Sequence, residues 1–244
     1  MNRITLLLVC CLLSVSSAYA QGGKTYPNSS KAFEPLPDKP ISYLVTIEKD
    51  GDARLLTPGA AEAKIVTLQQ LKEFFTALAA KIKTPASTRG KDLVTFKADP
   101  SIKIERVIAF IETARSAYTS KLRIEADEDL FVLIPAEPGL RSLTAAKPNP
   151  LTLVVAAGKD GKLTLNMEDE GTISDTSGLT GHLKRVFRER AANGVFRERD
   201  NTIESTVFLK MALSSSWSDA VKVIRAIRDG GSDRIGLQVD DLDK

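Results

Sequence analysis

The sequence runs to 244 residues with 34 Lys and Arg against 31 Asp and Glu, a formal charge of +3. That near balance excludes the strongly basic surface of a nucleic-acid or anionic-membrane binder, and 43% hydrophobic with 27% charged residues is an ordinary globular make-up. With His182 as the single histidine and Cys10 and Cys11 as the two cysteines, neither a structural His/Cys metal cage nor a disulfide framework is open to the chain.

Taken in order, residues 1–20 read as a secretory signal peptide. Arg3 supplies the positive start, 4–15 the apolar core, and Ala18-Tyr19-Ala20 a cleavage site before Gln21. The alternative is an uncleaved inner-membrane anchor, disfavoured because the apolar run falls short of the ~20 residues a span needs. Both cysteines lie in this leader, so the exported chain carries no thiol, which suits a bacterial periplasm. Residues 21–40, with Pro27, Pro35, Pro37 and Pro40, read as an extended tether.

The first domain is expected over 41–133. It opens with two strands (42–48 and 53–56) around Lys49-Asp50-Gly51, a hairpin turn because Asp-Gly tolerates positive φ. A helix follows from Thr67, whose partner three residues on, Gln70, makes a capping-box signature. Leu68, Leu71, Phe75, Leu78 and Ile82 form its buried stripe. A strand (94–99), a helix bearing Ile104, Val107, Ile108 and Ile111, and a last strand (121–125) complete the unit. Residues 134–150, rich in proline, read as the linker.

The second domain, 151–244, repeats this order. Residues 94–127 lie without a gap over 207–240 at a constant shift of 113, and Lys159-Asp160-Gly161 repeats the turn. Ser216 with Asp219 marks a helix start, and Gly230-Gly231 a helix stop. The fold class predicted is α+β: two tandem small domains, each a mixed sheet with two helices on one face in the order β-β-α-β-α-β. Small sheets leave open edges, so the two domains are expected to pack as an intramolecular pseudo-dimer.

This order, with Leu71-Lys-Glu-Phe-Phe75, the strand ending Lys97-Ala98-Asp99, the Gly230-Gly231 turn and Ile235-Gly-Leu-Gln-Val-Asp-Asp-Leu242, resembles the periplasmic domain of the ExbD/TolR biopolymer-transport proteins, present here as a tandem duplication. The resemblance covers nearly everything after Pro40. It implies a protein of the cell envelope that works beside a multi-span partner in transmembrane transport, or that binds peptidoglycan. Residues 4–15 hold no ionisable residue where the family's membrane helix carries a proton-conducting aspartate, and Ala212 stands where the first copy has Asp99. The resemblance therefore implies fold and compartment rather than proton conduction.

Catalytic chemistry is sparse. His182 falls on the apolar stripe of its helix, three residues from Leu179, and reads as a packing histidine. The acidic runs at 125–129, 168–170 and 240–243 lack the spacing of a calcium loop and read as solvated surface, so no metal and no cofactor is expected. The pentapeptide Val-Phe-Arg-Glu-Arg occurs at 186–190 and 195–199. Its arginines, Arg185, Arg188, Arg190, Arg197 and Arg199, are the candidate binding residues, by bidentate contact with carboxylates such as those of peptidoglycan stem peptides. The plainer reading is a salt-bridged helix face and loop.

The expected function is a non-catalytic envelope binding or adaptor module, with no nucleic-acid partner and no membrane span once the leader is removed. The alternatives are an exported hydrolase working through two carboxylates, first sought around Asp99 and Glu105, and a purely structural oligomerising module.

Overall fold

A computed structural model describes residues 41–81, 92–117, 121–128, 130–134, 151–197 and 200–239. The signal peptide, the tether, Ile82 and Arg199 lie outside the described residues, as does the linker apart from Ile134.

The first half contributes β1 (Ile41–Ile47), β2 (Ala53–Leu56), β3 (Lys64–Val66), α1 (Leu68–Lys81), β4 (Asp92–Ala98), α2 (Ile104–Ala117), β5 (Lys121–Asp127) and β6 (Leu130–Ile134). The second contributes β7 (Leu153–Ala157), β8 (Lys162–Leu165), β9 (Glu168–Thr172), α3 (Ser177–Ala192), β10 (Thr206–Met211), α4 (Trp217–Asp229) and β11 (Arg234–Leu237). The fold is α+β, with four helices and one eleven-stranded mixed sheet in the order β3-β2-β1-β4-β5-β6-β11-β10-β7-β8-β9. The first half runs β-β-β-α-β-α-β-β and the second β-β-β-α-β-α-β, each with a third strand after the hairpin that the predicted order β-β-α-β-α-β lacks. In place of two separate sheets there is one, because β6 pairs antiparallel with β5 and meets β11 in parallel at Leu133 and Gly236.

Local chemistry explains the elements. At both hairpins the Asp carboxylate accepts from the N–H two residues on, Asp50 from Asp52 at 3.0 Å and Asp160 from Lys162 at 3.1 Å. The next residue, Gly51 or Gly161, takes a positive φ of 88° or 76°. The capping box at α1 is reciprocal: Thr67 N–H donates to Gln70 Oε1 at 2.9 Å, and Gln70 N–H to Thr67 Oγ1 at 3.2 Å. Ser216 caps α4 by accepting from Asp219 N–H. Gly231, at φ +100°, follows its end.

Strand alternation buries Val45, Ile47, Phe96, Leu122 and Ile124 in the first half, and Val155, Leu163, Val207, Leu209 and Ile235 in the second. They join Leu71, Phe75, Leu179, Leu183 and Trp217 from the helices in one hydrophobic cluster that spans both halves. Helix α1 packs on α2, α3 on α4, and α2 touches α4 at the middle.

The seam between the halves is reciprocal at positions 113 residues apart. Ile104 N–H donates to Ser215 C=O at 2.9 Å, and its counterpart 113 residues on, Trp217, donates to Ile102 C=O at 2.7 Å. Glu105 N–H donates to Leu213 C=O at 3.0 Å, and its counterpart Ser218 to Pro100 C=O at 2.8 Å. Lys103 forms an antiparallel bridge with Ser216, its own counterpart. The first N–H groups of a helix have no partner inside it. Here each of the two central helices finds acceptors for them in the loop of the other half.

Candidate functional site

Strands β4 and β5 run parallel, so both end at the same edge of the sheet, the edge where ligand crevices form in such sheets. Beyond their ends lies α4, carried in from the second half. Between them opens a groove of about 500 Å³. Ala98, Pro100 and Ala126 from the first half, with Trp217 and Val221 from α4, give it an apolar lining. Lys97, Lys222 and Arg225 bring positive charge to it; Glu125, Asp127 and Glu128 bring negative charge. The groove exists only because the two halves meet.

Its charges are held in pairs. Lys97 Nζ stands 2.7 Å from Glu125. Arg225 reaches across the seam, its Nε donating to Asp127 Oδ2 at 2.8 Å and its Nη2 to the same oxygen at 2.5 Å. These bonds hold the Asp127 carboxyl below its ordinary value, helped by the Glu128 N–H. On the helix, Lys222 donates to Asp219 at 2.9 Å, and this bond, with that from Ser216, holds the Asp219 carboxyl low. Arg225 and Asp127 remain about half exposed, so water screens their pairing, which adds little to stability and exchanges readily with another ion.

The arginines singled out in the sequence do not assemble into a site. Arg185 and Arg188 lie exposed on α3, and Arg199 is outside the described residues. Arg190 is buried, its Nη1 donating to Glu204 C=O and its Nη2 to Leu151 C=O, both at 2.5 Å. Burial pushes its guanidinium pKa down, against the pull of Glu204. The Arg197 side chain is 1% exposed. It donates to Ile203 C=O from Nε and Nη2 at 3.2 and 2.9 Å and to Asp233 at 2.5 Å. Burial pushes the Asp233 carboxyl up, but bonds from Arg197 and Ser205 and the charges of Arg197 and Arg234 outweigh it, leaving the net shift downward. Arg190 and Arg197 are thus internal clamps on backbone carbonyls rather than contacts for a ligand.

Asp99, the first residue considered for an acid–base pair, gives its carboxylate to Ser101, accepting from Oγ at 2.5 Å and from N–H at 2.9 Å, and both bonds lower its pKa. Glu105 is exposed on the first turn of α2. His182 is half-buried beside Glu170, away from the groove. The groove residues were missed in the sequence, although a signal was there. Glu125 lies over Gln238, and Arg225 over Glu112, so the two copies differ in charge at the groove positions.

Among the described residues no helix is long and apolar enough to cross a membrane. No family model, curated protein or solved structure matches the chain.

Proposed function

We propose that the protein is a non-catalytic binding module of the cell envelope, a fused pseudo-dimer whose ligand is a short peptide bearing both signs of charge. The observation that carries this reading is the groove at the seam, with apolar lining and opposed, exchangeable ion pairs on its walls. A ligand carboxylate would be taken by Arg225 and Lys222, a ligand ammonium group by Asp127, Glu125 and Glu128, and the aliphatic part by Trp217 and Val221. Two N–H groups of Arg225 bond to Asp127, and a guanidinium carries five donors, so a carboxylate can be added before that pair is broken. Peptidoglycan stem peptides combine free carboxylates with an amine and fit this description. The resemblance to ExbD/TolR periplasmic domains supports the envelope setting, in which such a module would act as an adaptor between the cell wall and a transport protein.

The test is titration of the chain from Gln21 with soluble stem peptides, followed by the intrinsic fluorescence of Trp217, the single tryptophan. Saturable binding that Arg225→Glu removes supports the reading. No binding of any peptide carrying both charges, or binding indifferent to Arg225→Glu, contradicts it.

A further inference from the structure

Glu168 and Glu170 sit on β9, and two residues apart on a strand they face the same way. Helix α3 brings His182, in its second turn, over them. One ligand atom from each of the three lies within 4.8 Å of the others. Glu170 is 8% exposed and its side chain meets a ring nitrogen of His182. Among the described residues, no Lys or Arg pairs with either carboxylate; the neighbouring Lys162 faces Asp169 instead, at 3.9 Å. A buried carboxylate without a fixed cation beside it is costly, and a metal ion is one of the few groups that offsets the cost.

The backbone is shaped for this approach. The pairing of β8 with β9 shifts register between Lys162 and Thr164, and such a bulge re-aims the side chains of the bulged strand. Gly171 takes φ +94°, which a side-chain-bearing residue rarely adopts. Gly178, in the first turn of α3, lets the helix come so near that a Cβ there would stand 3.0 Å from the Glu170 carbonyl oxygen. A side chain at Gly178 would push the helix off the strand and draw His182 away from Glu170.

We propose that Glu168, Glu170 and His182 form a binding site for one divalent transition-metal ion, of which zinc is the best fit. One imidazole nitrogen and two carboxylate oxygens are a borderline N/O donor set of the kind zinc accepts, and three protein ligands leave a fourth position for water or an exogenous group. Ligand atoms on a tetrahedral zinc stand about 3.3 Å apart, from metal–ligand bonds of about 2.0–2.1 Å. Metal entry therefore replaces the His182–Glu170 hydrogen bond: the two groups part to this spacing, their shared proton leaves to solvent, and the exposed Glu168 rotates in. The site lies by the outer edge of the sheet and is independent of the groove.

The experiment is calorimetric titration of the untagged chain from Gln21 with Zn²⁺ alone, repeated with Co²⁺ to read its visible absorption. One equivalent is expected to bind. Glu168→Gln, at an exposed position that leaves the fold intact, should weaken binding at least about tenfold, on the scale of losing a ligand or its support. His182→Asn should abolish it and remove the Co²⁺ ligand-field bands. Absence of saturable binding to the parent chain overturns the proposal, and so does binding that survives unchanged in Glu168→Gln and His182→Asn.

Discussion

The residues that line the groove at the ends of β4 and β5 have counterparts 113 positions away in the other copy, and the two sets differ sharply in chemistry. Trp217 corresponds to Ile104, Lys222 to Ala109, Arg225 to Glu112, Glu125 to Gln238 and Ala98 to Met211. Where the groove pairs Arg225 with Asp127, the counterpart positions in the sequence, Glu112 and Asp240, are both acidic. The backbone bonds of the seam are kept in both directions, while the side chains around it have parted. Backbone bonds at the axis join the halves whatever the flanking side chains are, so the side chains around the groove are free to serve a ligand.

The comparison is most severely tested at its largest residue. Trp217 is 2% exposed and serves both core and groove, so Trp217→Ala should cost about 3–5 kcal/mol and Ile104→Ala about 2–5 kcal/mol. Chemical denaturation measures both. In addition, Trp217→Ala alone should lose peptide binding at temperatures where it remains folded. Next in size is Arg197→Met in the loop before β10. It strands Asp233 and the Ile203 carbonyl and should cost about 3 kcal/mol, whereas exposed Arg188→Met should stay within about 0.5 kcal/mol. An equal effect of the two would mean that the buried clamp is misassigned.

Gly230→Ala sharpens the contrast between the helix pairs. A Cβ there would meet Leu183 Cβ at 2.8 Å, so overpacking should cost about 1–3 kcal/mol. The counterpart Ala117 already carries that atom, and Ala117→Gly should cost only about 1 kcal/mol through helix propensity. Thermal melts of the pair separate the two mechanisms.

Much of this was legible in the sequence, for local reasons. The caps at Thr67–Gln70 and Ser216–Asp219, the Asp-Gly turns and the helix stripes are short-range patterns, and the structure forms them where they were read. The third strands escaped notice because they carry no strand signature: β3 has three residues, and Glu168-Asp-Glu-Gly-Thr172 is polar throughout. Strand β6 was hidden by its position, an apolar run leading into prolines that read as linker. The division among the arginines was not legible, because composition cannot tell a charge that meets solvent from one that meets Glu204 C=O and Leu151 C=O. The groove was out of reach for a different reason: Arg225 and Asp127 lie 98 residues apart, and their meeting depends on how the halves dock.

The smallest expected effect is electrostatic. Arg225→Glu should leave the thermal midpoint almost unchanged, yet the Asp127 carboxyl should then titrate higher by carboxyl-carbon NMR, because its principal hydrogen-bond donor is gone. In the parent chain the folded value is depressed. The stability this contributes is therefore present above the unfolded value, near 3.8, and is lost as pH falls through the folded one. Glu112→Arg, at the position that corresponds to Arg225 in the other copy, should leave the Asp127 titration where it is.

The central claim is that the halves join about an axis at Lys103 and Ser216, and a cross-link tests it most directly. The flanking bonds make these two a non-hydrogen-bonded antiparallel pair, with Cα atoms about 4.5 Å apart, within reach of a disulfide. The chain from Gln21 has no cysteine of its own. Lys103→Cys combined with Ser216→Cys should oxidise in air to a single intramolecular disulfide, seen as a two-hydrogen mass loss in a monomer that stays folded. Cysteines that remain reduced, or that link only different molecules, would contradict the account.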